Sequence, residues 1–259
     1  MAVTARPPVL GGNKNRVLNG GNPLANGIAF CCLPGTDPTV PDLVSNRVGT
    51  HVDNGGSPLF LIDQRYGQCI QYSAGTGDGY KFGSYFAVPS GSSTYTLGLL
   101  AKPPSVATRT LSLFQGDAVA GGNPQLELSM NSDSGASPSA GLFSFYDYNS
   151  GFNSQATSTA GAIDGNWHVF VGRRNGTGST SGTVWVDGVN VTNSQSGGGG
   201  TLSTLPYVFI CGSNDPGLVS CGYPIALGVM WNRSLTDDEI YRWSADPFQI
   251  IAQVPTLTY

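Results

Sequence analysis

The sequence predicts an all-β protein, a sandwich of two antiparallel sheets with one short helix near the C-terminus. Three observations carry this. The 259 residues include 37 glycines and 17 prolines but only 11% charged residues. Such a composition suits many short strands joined by tight turns rather than helices, which draw on Ala, Glu, Lys and Leu. Apolar and polar residues alternate in short runs bounded by Gly, Pro and Asn, as half-buried strands require. Asp187-Gly188, set between β-branched runs, carries the signature of a two-residue type I′ hairpin.

Taken in order, residues 1–23 show no periodicity and read as an extended N-terminal arm. A single sandwich domain then fills residues 24–250, since one β-sandwich accommodates this length. GIAFCCLP, SPLFLIDQ and QCIQYSA are its first short strands. In STYTLGLLAKP, Tyr95, Leu97 and Leu99 share one face, with Thr96, Gly98 and Leu100 on the other. RTLSLFQG and PQLELSMN alternate similarly. GLFSFYDYN places Leu142, Ser144, Tyr146 and Tyr148 on one face and Phe143, Phe145 and Asp147 on the other. In WHVFVGRR, Trp167, Val169 and Val171 oppose His168, Phe170 and Gly172. The hairpin TVWVDGVNV, then LPYVFICG and PIALGVMWN, complete the strands, and SGGGGT at 196–201 is a loop within the domain.

The helix is read from RSLTDDEIYRWS. Thr236 followed three residues later by Glu239 is a capping box. Asp237, Asp238 and Glu239 complement the positive end of the helix dipole, and Leu235, Ile240 and Trp243 form the apolar side. Asp246-Pro247 ends it. Residues 251–259 read as an extended tail.

Composition also narrows function. The net charge is −4 and the basic residues do not cluster, which argues against nucleic-acid binding. No apolar run approaches the roughly 20 residues of a membrane-spanning helix. The N-terminus lacks the apolar core of a secretory signal, so synthesis in a cytoplasm without export is expected. Five cysteines are too odd a number for a complete disulfide framework. Cys211 and Cys221, flanking a turn-rich loop, are one candidate pair beside the alternative of buried thiols.

WHVFV at 167–171, VWVDG at 184–188 and LGVMWNRSLTDDEIYRW at 227–243 together resemble the laminin-G-like branch of the concanavalin A-like lectin fold. Arg233, Leu235, Glu239 and Ile240 occupy the Arg-x-Leu-x-x-x-Glu-Ile places of that family's closing segment, and STYTLGLLAKP is similar to the strand before its central hairpins. The resemblance covers roughly residues 24–250 and implies a jelly-roll sandwich. SADPFQII resembles the ending of laminin-G-like proteins from bacteriophage and prophage genomes. That resemblance implies a virion surface protein, present in many copies or as a homo-oligomer. It would dock on other capsid or tail proteins through its arm or tail.

The resemblance also directs attention to candidate sites. Calcium at the rim of the fold would draw on Asp78, Asp117 or Asp164, each equally readable as a turn residue; no other cofactor is expected. A glycan platform would use Tyr146, Tyr148 and Phe152, with Tyr80, Tyr85 and Phe86 as a second aromatic group. Hydrolases on this fold need two carboxylates, and Glu127 with Asp147 is the one pair considered. No G-x-S-x-G elbow accompanies His168, which reads as a packed residue, and Asp187 reads as a turn residue. The expected function is therefore a non-enzymatic bacteriophage virion protein, in capsid decoration or a tail fibre, displaying a lectin-like sandwich toward host-surface glycans. A bacterial glycan-binding lectin module is the alternative and a glycan hydrolase the third.

Overall fold

The structure is a computed structural model. It describes residues 16–34, 40–53, 55–72, 78–83, 87–116, 125–134, 137–148, 152–203, 207–212 and 221–253. Asp117, Tyr85, Phe86 and the side chain of Phe152 lie outside the described residues.

The strands run in chain order as β1 Arg16–Leu18, β2 Ile28–Cys32, β3 Val40–Pro41, β4 Val48–Val52, β5 Pro58–Asp63, β6 Gly67–Tyr72 and β7 Gly79–Phe82. Next come β8 Thr94–Ala101, β9 Thr110–Gly116, β10 Gln125–Ser134, β11 Ser137–Tyr148, β12 Phe152–Ser158 and β13 His168–Asn175. The series ends with β14 Gly182–Val186, β15 Val189–Asn190, β16 Thr192–Ser196, β17 Tyr207–Ile210, β18 Ile225–Trp231, the helix α1 Asp237–Ala245 and β19 Ile251–Gln253.

Two antiparallel sheets form the sandwich. One has the order β16-β12-β11-β10-β9-β17-β7-β4-β3, the other β15-β14-β13-β8-β18-β6-β5, with β2 also paired to β18. The main core lies between them. Tyr95, Leu97 and Leu99 of β8 meet Leu126, Leu128, Phe143 and Phe145 there, on the faces that alternation assigns.

The eight-stranded sheet is apolar on both faces because a third layer covers it. Leu100, Val169, Val171, Trp185, Val229 and Trp231 pack against Leu24, Leu235, Ile240 and Trp243 in a second buried cluster. In β13 the inward residue is therefore Phe170, while the Trp167, Val169 and Val171 face turns toward the helix layer. The capping box of α1 is present, with Thr236 accepting from the Glu239 amide and the Glu239 carboxylate accepting from the Thr236 amide. Arg233 grips Glu239 through two bonds of 2.9 Å. The Asp187-Gly188 turn has φ of 50° and 79°, as a type I′ turn demands.

Described parts of the arm and tail are held to each other. Residues 16–22 are held to the C-terminal segment: β1 pairs with β19, the Asn19 amide donates to Ile250 O at 2.7 Å, and Asn22 Nδ2 donates to Gln249 O at 3.1 Å. Within the described part of the tail Ile251–Gln253 is a strand, preceded by a 3₁₀ turn at Pro247–Ile250. Arg16–Leu18 and Ile251–Gln253 thus lie side by side.

Candidate functional site

The outer face of the nine-stranded sheet follows from register. β17, β9, β10 and β11 pair without a slip across this stretch, so Tyr207, Gly116, Gln125 and Tyr148 form one row. The next row runs Lys81, Phe209, Phe114, Glu127, Tyr146 and Gln155. Strand spacing puts Tyr207 and Tyr148 about 14 Å apart. Both are half-buried, and Gly116 contributes no side chain between them. Lys81 Nζ stands 3.8 Å over the Tyr207 ring, a cation–π contact.

Beneath this rim the face is polar and closed. Glu127 is fully buried, with Oε1 accepting from Arg109 Nη2 at 2.5 Å. Glu127 Oε2 is enclosed and has no hydrogen-bond partner among the described residues. Burial pushes the Glu127 carboxyl above its usual range, opposed by Arg109 and the Ser129 hydroxyl. Ser129 accepts from Arg109 Nε at 3.1 Å. The end of the β10–β11 hairpin bends across this face at Asn131, whose φ is 58°. Its Asp133 carbonyl accepts from Gln155 Nε2 at 2.9 Å and Thr157 Oγ1 at 3.3 Å, and its Ser132 carbonyl accepts from Ser144 Oγ.

This geometry revises several sequence expectations. Tyr146 is on the outer face but fully buried, its hydroxyl 3.2 Å from Ser132 Oγ, so its ring offers no face to a sugar. Tyr148 keeps part of its surface, and Phe152 is its Cα partner on β12. Tyr80 is buried in the main core rather than on a platform. Glu127 and Asp147 do not form a pair, because odd and even positions of β11 face opposite ways. Asp147 pairs with Leu126 and points into the sandwich, where it meets Arg174 and Tyr95.

The calcium candidates are also dispersed. Asp78 is fully buried at the start of β7, against Gly56, rather than on the rim. Asp164 is exposed but engaged: Oδ1 accepts from the Asn166 amide at 2.8 Å and bonds His168 Nε2 at 3.0 Å. Those contacts, led by Asn166, hold its carboxyl down to about 2. Among the described residues no group of three or more His, Cys, Asp or Glu side chains is arranged to hold a metal ion. Cys211 and Cys221 are buried free thiols, and the Cys221 amide donates to Cys211 O.

Residues 74–241 match the family described as the concanavalin A-like lectin/glucanases superfamily, in its laminin-G-type branch. The chain belongs to this family. Solved structures share its fold at low identity. The binding domain of Paraclostridial mosquitocidal protein 1 aligns with a TM-score of 0.56 and 10% identity, over 87% of this chain and 53% of that one. Trypanosoma rangeli sialidase gives 0.54 and 16%, over 86% and 33%. Domain 4 of AbnA, a GH43 extracellular arabinanase from Geobacillus stearothermophilus in complex with arabinotriose, gives 0.51 and 15%, over 78% and 91%. The laminin-G-type chain thus spans about half of the first and a third of the second. Comparison with curated proteins returns no match.

Lys81, Arg109, Tyr207 and Phe209 escape sequence reasoning. A signal for the last two exists in YVFI, which is apolar at every position. Val208 and Ile210 fill the core, so Tyr207 and Phe209 must serve the other face.

Proposed function

We propose that this laminin-G-type protein is a non-enzymatic bacteriophage virion component that presents the outer face of its nine-stranded sheet to host-surface glycans. The observation that carries the binding role is the row Tyr207, Gly116, Gln125, Tyr148. Two half-buried tyrosine rings stand at the ends of this row, with the side-chain-free Gly116 next to Tyr207, Lys81 over the Tyr207 ring and the Arg109–Glu127 pair in the next row. Aromatic faces stack on sugar rings, while charged and amide groups fix their hydroxyls. The opposite facing of Glu127 and Asp147 supports binding over two-carboxylate hydrolysis.

The virion role rests on the resemblance of SADPFQII to phage laminin-G-like endings and on the β1–β19 ribbon. A ribbon built from both terminal segments suits docking at one point, with the sandwich held outward and weak contacts summed over many copies. A glycan array tests the binding role. Tyr148→Ala and Tyr207→Ala should each reduce binding at least tenfold with the fold intact; unchanged binding in both defeats it. The virion role is tested by the protein's presence at fixed stoichiometry in purified particles. A free monomer absent from particles would instead favour the lectin-module reading, which the arabinotriose-bound AbnA domain also supports.

A further inference from the structure

Cys211 follows β17 of the nine-stranded sheet, and Cys221 precedes β18 of the eight-stranded sheet. The Cys221 amide donates to Cys211 O at 3.1 Å, and the Tyr72 amide of β6 donates to Cys221 O at 3.0 Å. That backbone hydrogen bond holds the two residues side by side, as a disulfide between them requires. Both side chains are fully buried in the main core. Cys211 also holds a φ of 67°, in the left-handed region where Gly and Asn are the favoured residues. The sequence keeps a cysteine where the backbone disfavours a β-carbon.

We infer that Cys211 and Cys221 form a reversible disulfide that ties the two sheets together at this end of the sandwich, with a small-molecule disulfide such as oxidised glutathione as the oxidant. A thiolate of the pair attacks one glutathione sulfur and releases one reduced glutathione. The second thiolate attacks the mixed disulfide and releases another. Two protein thiols are oxidised, one glutathione disulfide is reduced, and the two thiol protons pass to the released glutathiones. Burial holds the Cys211 thiol protonated, so the exchange waits on local opening of this end.

The folded protein is incubated with or without oxidised glutathione, then denatured and alkylated, and the thiols are located by peptide mapping. Alkylatable thiols should fall from five to three, with Cys211 and Cys221 recovered in one linked species. The melting midpoint should rise by roughly 5–10 °C and return on reduction. Cys221→Ser, or Cys221→Ala if the serine variant folds poorly, should show neither change. Retention of all five thiols overturns the inference. Recovery of a bond from Cys32, the third thiol of the same core cluster, overturns it too.

Discussion

His168 binds Asp187 through Nδ1 at 2.6 Å while its Nε2 meets Asp164 at 3.0 Å, so one ring joins the β14–β15 turn to the loop before β13. A neutral imidazole has one N–H and cannot donate to both carboxylates; the imidazolium can. The arrangement raises the His168 pKa to about 8, first through Asp187 and then Asp164, against the cost of burial. Asp187, a turn residue by its φ, also anchors the Val169 amide at 2.9 Å.

The consequence is a stability that depends on pH. The folded pKa lies above the ordinary 6.5, so the stabilisation is complete below about pH 6.5 and is lost as pH rises through about 8. Its size is at most about 2 kcal/mol, reduced by solvent screening because both carboxylates are about half exposed. The His168 ring protons should titrate near pH 8 by NMR, and the melting midpoint should fall across that window. His168→Asn should flatten the dependence. A titration at or below pH 6.5 would show that the double contact does not hold in solution.

Asp147 and Arg174 form a second ion pair, this one with both side chains fully buried. Tyr95 and Asn153 also donate to Asp147, and Arg174 Nη2 donates to Gly200 O at 2.7 Å, tying the glycine-rich loop to the interior. Removing one partner leaves an unpaired charge in low dielectric. Asp147→Ala should cost about 3–5 kcal/mol in urea unfolding. Asp147→Leu with Arg174→Met should cost less than the single change, since neither charge remains. Equal costs would mean that the pair is solvated.

Sequence alternation reached what is local. It assigned the two faces of β8, β11 and β13 because period two is written into neighbouring residues, and it placed α1 because the Thr236–Glu239 box spans one turn. It missed what depends on distant chain. The Asp147–Arg174 pair joins opposite sheets, and β1 meets β19 across nearly the whole sequence without any apolar pattern to announce it. Alternation put Tyr146 and Tyr148 on one face correctly, but it carries no information about the hairpin end that closes over Tyr146 and not over Tyr148. Alternation separated Val169 and Val171 from Phe170 in β13, but the layer that covers the valines is given only by the position of Trp243.

The capping box offers a sharper local test. Thr236 Oγ1 accepts from the Glu239 amide at 3.2 Å, and Glu239 Oε2 accepts from the Thr236 amide at 2.8 Å while also binding Arg233. Thr236→Ala should cost about 1 kcal/mol. Glu239→Gln should keep the capping geometry but weaken the bond to Arg233. Arg233 Nε donates to Asn26 O, so that variant should also speed amide exchange in the segment before β2.

Gly98 sits on β8 directly under α1. A β-carbon there would lie 2.4 Å from Trp243 Cη2 and 3.1 Å from Trp231 Cζ3. The two indoles pack edge-to-face at 5.1 Å, and Trp243 Nε1 is fixed by Pro247 O, so the ring has little room to retreat. Gly98→Ala should therefore destabilise by about 1–3 kcal/mol, the range for overfilling a packed core. Gly178→Ala is the control, since nothing lies within 4 Å of its β-carbon position; it should be neutral or stabilise by up to about 1 kcal/mol through the unfolded chain. Trp243 fluorescence separates the mechanism from a general loss of stability. In folded Gly98→Ala the emission should shift to the red as the ring is lifted from β8, and it should be unchanged in Gly178→Ala. An unshifted spectrum with full stability in Gly98→Ala would mean that the helix rides higher on the sheet than this contact places it.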